Sequence, residues 1–99
     1  MSNLSEHDTR QISKMLDCLK EFQEGNMTLD RLYGNLEFLW YHLSDTINSE
    51  AKYSLKEKID HLEILNASRL ENIIDDKASQ IESRKTSDKI RAQLDLLKL

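Results

Sequence analysis

Proline is absent from this 99-residue chain, and glycine occurs only at Gly25 and Gly34. These two residue types interrupt helices most strongly, so the chain offers few points at which a helix must stop. No window shows the sustained alternation of apolar and polar residues that is typical of strands. Leucine is the commonest residue, and the many leucine, lysine and glutamate residues favour helices. We therefore predict an all-α fold in a single domain over residues 1–99.

Long apolar runs are also absent, because charged residues interrupt every apolar stretch within a few positions. Such a chain has no segment suited to crossing a bilayer. Its first residues lack the basic region and the apolar block of a signal peptide. Cys18 is the one cysteine, which excludes an internal disulfide. We expect a cytoplasmic protein that has no membrane partner.

Residues with the spacing of a catalytic or metal site are missing as well. His7, His42 and His61 are scattered, and no Glu-x-x-His or His-Glu-x-x-His pattern occurs. Glu57 and His61 are one helical turn apart, a spacing more typical of a surface pair than of a metal site. Cys18 has no obvious activating base, and no glycine-rich phosphate loop is present. We expect a protein that is not an enzyme and that has no cofactor and no metal site.

The balance of charge is acidic, with 14 basic and 18 acidic residues and a net charge of −4. General affinity for nucleic acid is not expected at this charge. One basic cluster is present, and acidic residues are interleaved with it. It comprises Arg84, Lys85, Lys89 and Arg91. A basic protein is therefore a better partner for this surface than a nucleic acid.

Apolar residues that recur every three or four positions predict two helices joined by a tight turn. Ser5 and Asp8 have capping-box spacing at the start of the first helix, and Gly25 is expected to end it. Thr28 is the predicted N-cap of the second helix. This second helix, over residues 29–43, contains the single tryptophan and is expected to form the centre of the core. Its apolar stripe comprises Leu29, Leu32, Tyr33, Leu36, Leu39, Trp40 and Leu43.

A third helix is predicted to begin between Ser49 and Leu55. Its apolar stripe comprises Ala51, Leu55, Ile59, Leu62, Asn66, Arg69, Leu70 and Ile73. Residues 76–87 are mostly polar, and two interpretations stay open: a further helix capped by Ser79 and Glu82, or a mobile connector. Ile90, Leu94 and Leu97 then indicate a terminal helix. The predicted fold is a small antiparallel bundle of three main helices plus a shorter C-terminal helix.

The third predicted helix carries a second stripe opposite its apolar one. It comprises Glu57, Asp60, Ile64, Ala67, Glu71 and Asp75. These carboxylates surround an apolar centre, so a basic partner can bury Ile64 while the acids steer its approach. In the alternative interpretation, Ile64 packs beneath the terminal helix and the acids are only solvated. The first interpretation predicts a partner-binding site at Glu57, Asp60, Ile64, Glu71 and Asp75.

Three further side chains lie near the end of the second helix and the connection that follows it. They are Tyr41, His42 and Tyr53. Aromatic residues at such a place can form the rim of a binding surface, or they can be half-buried at the edge of the core. The sequence leaves both interpretations open.

Residues 19–32, with the sequence LKEFQEGNMTLDRL, carry a family resemblance. An aromatic-x-x-Gly ends one helix, and x-hydrophobic-Ser/Thr-Leu opens the leucine-rich helix that includes Leu36 and Leu39. Residues 62–67, with the sequence LEILNA, add a Leu-Glu pair and a nearby Asn-Ala. Over about residues 12–75, the chain resembles small all-helical bacterial immunity proteins of contact-dependent growth inhibition and related polymorphic toxin systems.

The resemblance implies a non-catalytic protein that binds one cognate toxin domain, commonly a nuclease, and occludes its active site. A basic nuclease cleft would suit a carboxylate-rich helix that acts as a phosphate mimic. The alternative function class is a helical adaptor, a secretion chaperone or a module that self-associates as a homodimer. Such proteins are also small, acidic and helical.

Overall fold

The structure, a computed structural model, describes residues 4–98. Over this range the chain forms four helices: α1 (Glu6–Gln23), α2 (Leu29–Tyr41), α3 (Ser49–Leu70) and α4 (Asp76–Leu97). No strand occurs within it, which confirms the all-α prediction. None of these helices combines the length and the apolar character needed to cross a membrane.

Neighbouring helices run antiparallel. Trp40, near the end of α2, donates its indole N–H to the carbonyl oxygen of Lys52, near the start of α3, at 2.8 Å. The amide of Gln93, late in α4, donates to the carbonyl oxygen of Ala51 at 2.8 Å. α4 also packs on α1, where Gln23 donates to Asp88 at 2.6 Å. The four helices therefore close into a bundle that measures 43 × 24 × 18 Å.

The core lies between the helices, and the apolar face of α2 contributes to it. Leu32 and Leu36 of α2 are fully buried, and Leu29, Leu39 and Trp40 are each less than a tenth exposed. The core also contains Ile12, Met15, Leu19, Phe22, Leu43, Ile47, Leu55, Ile59, Leu62, Leu65, Ile90 and Leu94. Removal of this apolar surface from water is the main force that holds the bundle together.

The predicted caps of the first two helices are present. Thr28 accepts the backbone N–H of Arg31 at 3.3 Å, and Ser5 accepts that of Asp8 at 3.1 Å. Gly25 has a φ of +81°, the left-handed conformation that glycine adopts without a Cβ penalty. It ends α1 as predicted, because the N–H of Asn26 bonds the carbonyl oxygen of Glu21 at 2.9 Å.

The C-terminal helix is longer than predicted. α4 has 22 residues, as many as α3, so the arrangement of three main helices plus a shorter one is not confirmed. Residues 76–87 are helical, and the N-cap is Asp75 rather than Ser79. The buried face of α4 comprises Ser79, Ser83, Thr86, Ser87, Ile90 and Leu94. A hydrophobicity pattern does not detect such a face, because small hydroxyl residues provide two thirds of it.

α3 ends earlier than its predicted stripe. Its last residue is Leu70, and Asn72 then takes a φ of +59°. The N–H of Ile73 bonds the carbonyl oxygen of Ser68 at 2.8 Å, and that of Asn72 bonds the carbonyl oxygen of Arg69 at 3.1 Å. This Schellman geometry turns the chain. Leu70 and Ile73, which were expected in the core, are therefore more than three fifths exposed.

Candidate partner-binding face

Five residues at three- and four-residue steps share one face of α3. This face lies on the outside of the bundle, between the sides of α3 that contact α2 and α4. We call these five residues the α3 outer face, and they are Tyr53, Glu57, Asp60, Ile64 and Ala67. Ile64 is 60% exposed and Tyr53 is 64% exposed. The interpretation in which Ile64 packs beneath the terminal helix is therefore wrong. The apolar centre of the predicted site is open to solvent.

The structure does not keep all five predicted site residues on this face. Glu57, Asp60 and Ile64 lie together on α3. Glu71 is the residue that caps the end of α3, and it is exposed. Asp75 is the N-cap of α4, where its carboxylate accepts the backbone N–H of Ala78 at 2.7 Å. The predicted stripe assumed a helix that continues to residue 75, and the turn at Asn72 removes that assumption.

A cluster of carboxylates adjoins this face on the side of α2. We call Glu37, Asp60 and Glu63 the acidic cluster, and their nearest oxygen atoms all lie within 4.8 Å of one another. The ammonium of Lys56 bonds Asp60 at 2.7 Å and Glu37 at 3.3 Å. An ammonium between two carboxylates offsets their mutual repulsion, so Lys56 fixes the geometry of the cluster.

Tyr33 joins the third carboxylate to the other two. Its hydroxyl contacts Glu37 and also lies 2.8 Å from Glu63. Since a phenol has one hydrogen, it donates to one of these carboxylates at a time. Burial and the bonds to the two carboxylates raise the pKa of Tyr33. The Tyr33 bond and the Lys56 ammonium lower the pKa of Glu37, against the opposing effect of burial.

The acidic cluster is the one group of three such side chains in residues 4–98 whose atoms are close enough to hold a metal ion. Two of its carboxylates are already paired with the ammonium of Lys56. A divalent cation would have to displace that ammonium to reach them. The arrangement is that of an ion-pair network, and the expectation of no metal site stays a prediction.

Exposed aromatic side chains lie where α2 passes to α3. The ring of Trp40 lies 5.1 Å from that of Tyr41 and 6.4 Å from that of Tyr53, measured between centroids. Phe38 packs on His42 at 4.3 Å. Tyr41 is 65% exposed and Phe38 is 61% exposed. We call Phe38, Tyr41 and Tyr53 the aromatic patch. Their exposure excludes the interpretation in which Tyr41 and Tyr53 are half-buried.

The ammonium groups of two lysines lie near the ring of Trp40, behind the aromatic patch. The ammonium of Lys52 lies 5.0 Å from the ring centroid of Trp40, and that of Lys56 lies 5.6 Å from it. Such contacts are attractive because the face of an indole ring is electron-rich. The same Lys56 lies 5.4 Å from the Tyr41 ring. One cation thus connects the aromatic patch to the acidic cluster.

Cys18 is half-buried and packs against the core. Burial raises the pKa of its thiol, and so does the negative charge of Asp17. A raised pKa leaves less thiolate at neutral pH, so the local environment does not activate this group as a nucleophile. This agrees with the sequence, in which Cys18 has no obvious activating base.

The sequence analysis named Tyr53 as a candidate rim residue but did not place it on the stripe of Glu57. Tyr53 precedes Glu57 by one helical turn, so its place on the outer face was readable from spacing alone. The acidic cluster was not readable in the same way, because Glu37 lies on α2 and Glu63 on α3. Their proximity depends on which faces of the two helices meet.

Comparison of the chain with protein-family models, curated proteins and solved structures finds no match. The resemblance to bacterial immunity proteins therefore rests on the sequence motifs described above.

Proposed function

We propose that this chain is an immunity protein that binds one cognate bacterial toxin domain, commonly a nuclease, and occludes its active site. The observation that carries the proposal is the exposed α3 outer face, with Ile64 at its centre and carboxylates around it. A nuclease needs a positive cleft to bind the phosphates of its substrate. A rigid helix that presents carboxylates at one-turn intervals complements such a cleft.

The carboxylates of the α3 outer face and of the adjoining acidic cluster differ in whether a lysine already neutralises them. Glu57 and Glu63 form no ion pair within residues 4–98, whereas Asp60 is paired with Lys56. Glu57 and Glu63 are therefore the carboxylates that attract a partner's guanidinium or ammonium groups most directly. Asp60 acts mainly through the network that holds the face in place.

The aromatic patch supplies the apolar contacts that charge alone does not provide. Tyrosine and other large side chains dominate the binding energy of most interfaces when they enter a partner's pocket. Tyr53 lies on the same face of α3 as Ile64. Tyr41 lies on α2, beside Trp40. Carboxylates attract the partner, and these side chains anchor it.

The face is also held rigid before binding. Lys56 and Tyr33 tie α2 to α3 through Glu37 and Glu63, and the Trp40 indole adds a further bond to α3. Side chains that are already ordered lose less conformational entropy when a partner binds. This arrangement suits tight inhibition by a small protein.

The direct test uses a candidate toxin domain from the native host, and a gene for a large secreted toxin directly upstream of this one would identify that candidate. The purified toxin is titrated with this protein while its activity on its own substrate is measured. We expect complete inhibition at a 1:1 ratio, and we expect affinity to fall as salt is raised because charges steer the complex. A toxin that stays fully active with this protein in excess would refute the proposal.

Charge reversal tests the two carboxylates that form no ion pair within residues 4–98. Glu57→Lys combined with Glu63→Lys is expected to weaken toxin binding by at least about a hundredfold, since it replaces attraction by repulsion at two positions. Asp17→Lys combined with Glu21→Lys is the matched control, because it changes net charge equally on exposed positions of α1. Equal losses in the two variants would mean that net charge, not this face, governs binding.

Truncation tests the apolar centre. Ile64→Ala is expected to weaken binding about tenfold, the effect of removing an interface anchor. Ile81→Ala is its control, because Ile81 is 48% exposed on α4 and lies outside the face. Both variants should keep the native melting temperature to within a few degrees, so a loss confined to Ile64→Ala reports on binding.

Self-association is the alternative that one observation favours. A shallow cleft of ≈ 620 Å³ between α3 and α4 has a largely apolar lining, and Leu96 at its edge is 67% exposed. A second copy that covers Leu96 would make the protein an adaptor or a homodimer. Sedimentation equilibrium at micromolar concentrations tests whether the chain self-associates. Self-association is supported if the chain forms a dimer that Leu96→Glu dissociates and if it does not inhibit the toxin.

A further inference from the structure

A cleft lies at the opposite end of the bundle from the aromatic patch, where α1 passes to α2 and α3 passes to α4. It has two adjoining lobes, of ≈ 310 Å³ and ≈ 390 Å³, that share Phe22, Thr28 and Gln80. The first lobe is completed by Leu29, Arg69, Asp76, Ser79 and Ser83. The second is completed by Gly25, Asn26, Met27, Arg31 and Arg84.

Positive charge is concentrated in this cleft, although the whole chain has a net charge of −4. Arg69 is partly neutralised, since its Nη1 lies 3.7 Å from a carboxylate oxygen of Asp76 and its Nη2 donates to Asn66 at 3.1 Å. Arg31 and Arg84 form no ion pair with any residue in the range 4–98. Two guanidinium groups are thus free to bind an anion in a bidentate manner.

The start of α2 contributes to the same site. Thr28 and Leu29, its N-cap and first residue, line the first lobe. The N-terminus of a helix presents backbone N–H groups and the positive end of the helix dipole, and both favour an anion.

A buried hydroxyl in the wall of the cleft gives an independent sign of a ligand. Ser83 is 1% exposed, and its Oγ has no hydrogen-bond partner among residues 4–98. An unpaired buried hydroxyl is unfavourable, and such groups are uncommon in folded proteins. Because Ser83 lines the first lobe, its hydroxyl is available to donate a hydrogen bond to an oxygen atom of a ligand placed there.

We propose that this cleft binds a small phosphomonoester. Arg31 and Arg84 bind the phosphate oxygens as charged donors, and the hydroxyl of Ser83 donates to a further oxygen atom of the ligand. Phe22 and Met27 supply apolar surface for the organic part of the ligand. The cleft is separate from the α3 outer face, so the proposal that it binds a phosphomonoester does not depend on toxin binding.

The test is a titration of the ¹⁵N-labelled protein with adenosine monophosphate and, separately, with inorganic phosphate at constant ionic strength. We expect saturable shifts of the Gln80 and Ser83 amides, and tighter binding of the nucleotide than of phosphate. Equal affinities for the two ligands, or no saturation at millimolar concentrations, would overturn the proposal.

Two arginine variants separate specific binding from general charge attraction. Arg84→Gln is expected to weaken nucleotide binding about tenfold, because it removes a charged donor. Arg91→Gln is the control, since Arg91 is exposed on the same helix and lines neither lobe. Equal losses in both variants would overturn the proposal.

Two serine variants separate ligand contact from fold stability. Ser83→Ala and Ser87→Ala each remove a buried hydroxyl that has no partner within the described part of the chain, so both are expected to raise the melting temperature of the free protein. Ser87 does not line the cleft. Ser83→Ala alone should weaken nucleotide binding, by about fivefold or more. Unchanged binding in Ser83→Ala would show that its hydroxyl does not contact the ligand.

Discussion

Asp8 gives the sharpest test of how the bundle is held at the α2–α3 connection. Its side chain is fully buried near the start of α1 and bonds a segment more than thirty residues away in sequence. The backbone N–H of Ser44 donates to Oδ1 at 2.8 Å, and the Ser44 hydroxyl donates to Oδ2. Asp8 therefore fixes the connection against α1.

The expected cost of removing this carboxylate follows from those bonds. A hydrogen bond to a charged group contributes about 1.5–3 kcal/mol, and Asp8→Ala loses the two from Ser44 and leaves the Ser44 N–H unpaired. We expect the free energy of unfolding to fall by about 3 kcal/mol. Asp8→Asn keeps one acceptor and the side-chain shape, so a loss of about 1.5 kcal/mol is expected. Urea unfolding monitored by Trp40 fluorescence measures both.

The pH dependence supplies a second readout. Burial raises the pKa of Asp8, but the bonds from Ser44 and Ser5 outweigh it, and the net pKa is lowered. The unfolded state therefore binds the proton more readily, and the contribution of Asp8 is fully present above its unfolded pKa of about 4. It is lost as the pH falls through the folded pKa, so wild type and Asp8→Asn should converge in acid.

A second aspartate of α1 provides the control for this prediction. Asp17 is exposed on the same helix and forms no ion pair within the described range, so Asp17→Ala should change stability by less than about 0.5 kcal/mol. A loss below about 1 kcal/mol in Asp8→Ala, or parallel pH profiles for wild type and Asp8→Asn, would show that this buried contact does not stabilise the fold.

Two backbone substitutions are expected to stabilise the protein. Asn72 has a φ of +59°, which glycine adopts at lower cost, so Asn72→Gly should add about 0.5–1 kcal/mol and Asn72→Ala should cost a similar amount. A Cβ at Gly34 would meet no atom of residues 4–98 within 4 Å, so Gly34→Ala should add about 1 kcal/mol and raise the melting temperature by about 4–8 °C. Thermal unfolding measures both, and an unchanged melting temperature in either stabilising variant would contradict the corresponding reasoning.

The fold was predictable where side-chain chemistry and helix period agree. α2 is apolar on one face and opens with Thr28, so its existence and role in the core followed from the sequence. The first half of α4 was left open because its buried face is made of hydroxyl residues. The end of α3 was misplaced because an asparagine, Asn72, takes the left-handed position that glycine most often occupies.

The candidate site was predictable only within one helix. Glu57, Asp60 and Ile64 share a face of α3 because helical spacing dictates it. The contact of Glu37 with Lys56 depends on how α2 packs on α3, and a single sequence does not specify that packing. For the same reason Asp8 was expected only as a capping residue, whereas its carboxylate bonds Ser44.

The α3 outer face and the cleft differ because α3 and α4 pack on their neighbours through different kinds of side chain. α3 meets α2 through long side chains that satisfy one another, and this leaves a firm, exposed face. α4 presents small hydroxyl residues toward the other helices, which leaves space at the cleft and leaves the Ser83 hydroxyl without a partner in residues 4–98. Residues 29 and 41, at the cleft and at the aromatic patch, are about 18 Å apart along α2. At that separation, without shared partners, substitutions at the two sites should act additively, and any coupling between ligand and toxin would have to pass through α2 or α3.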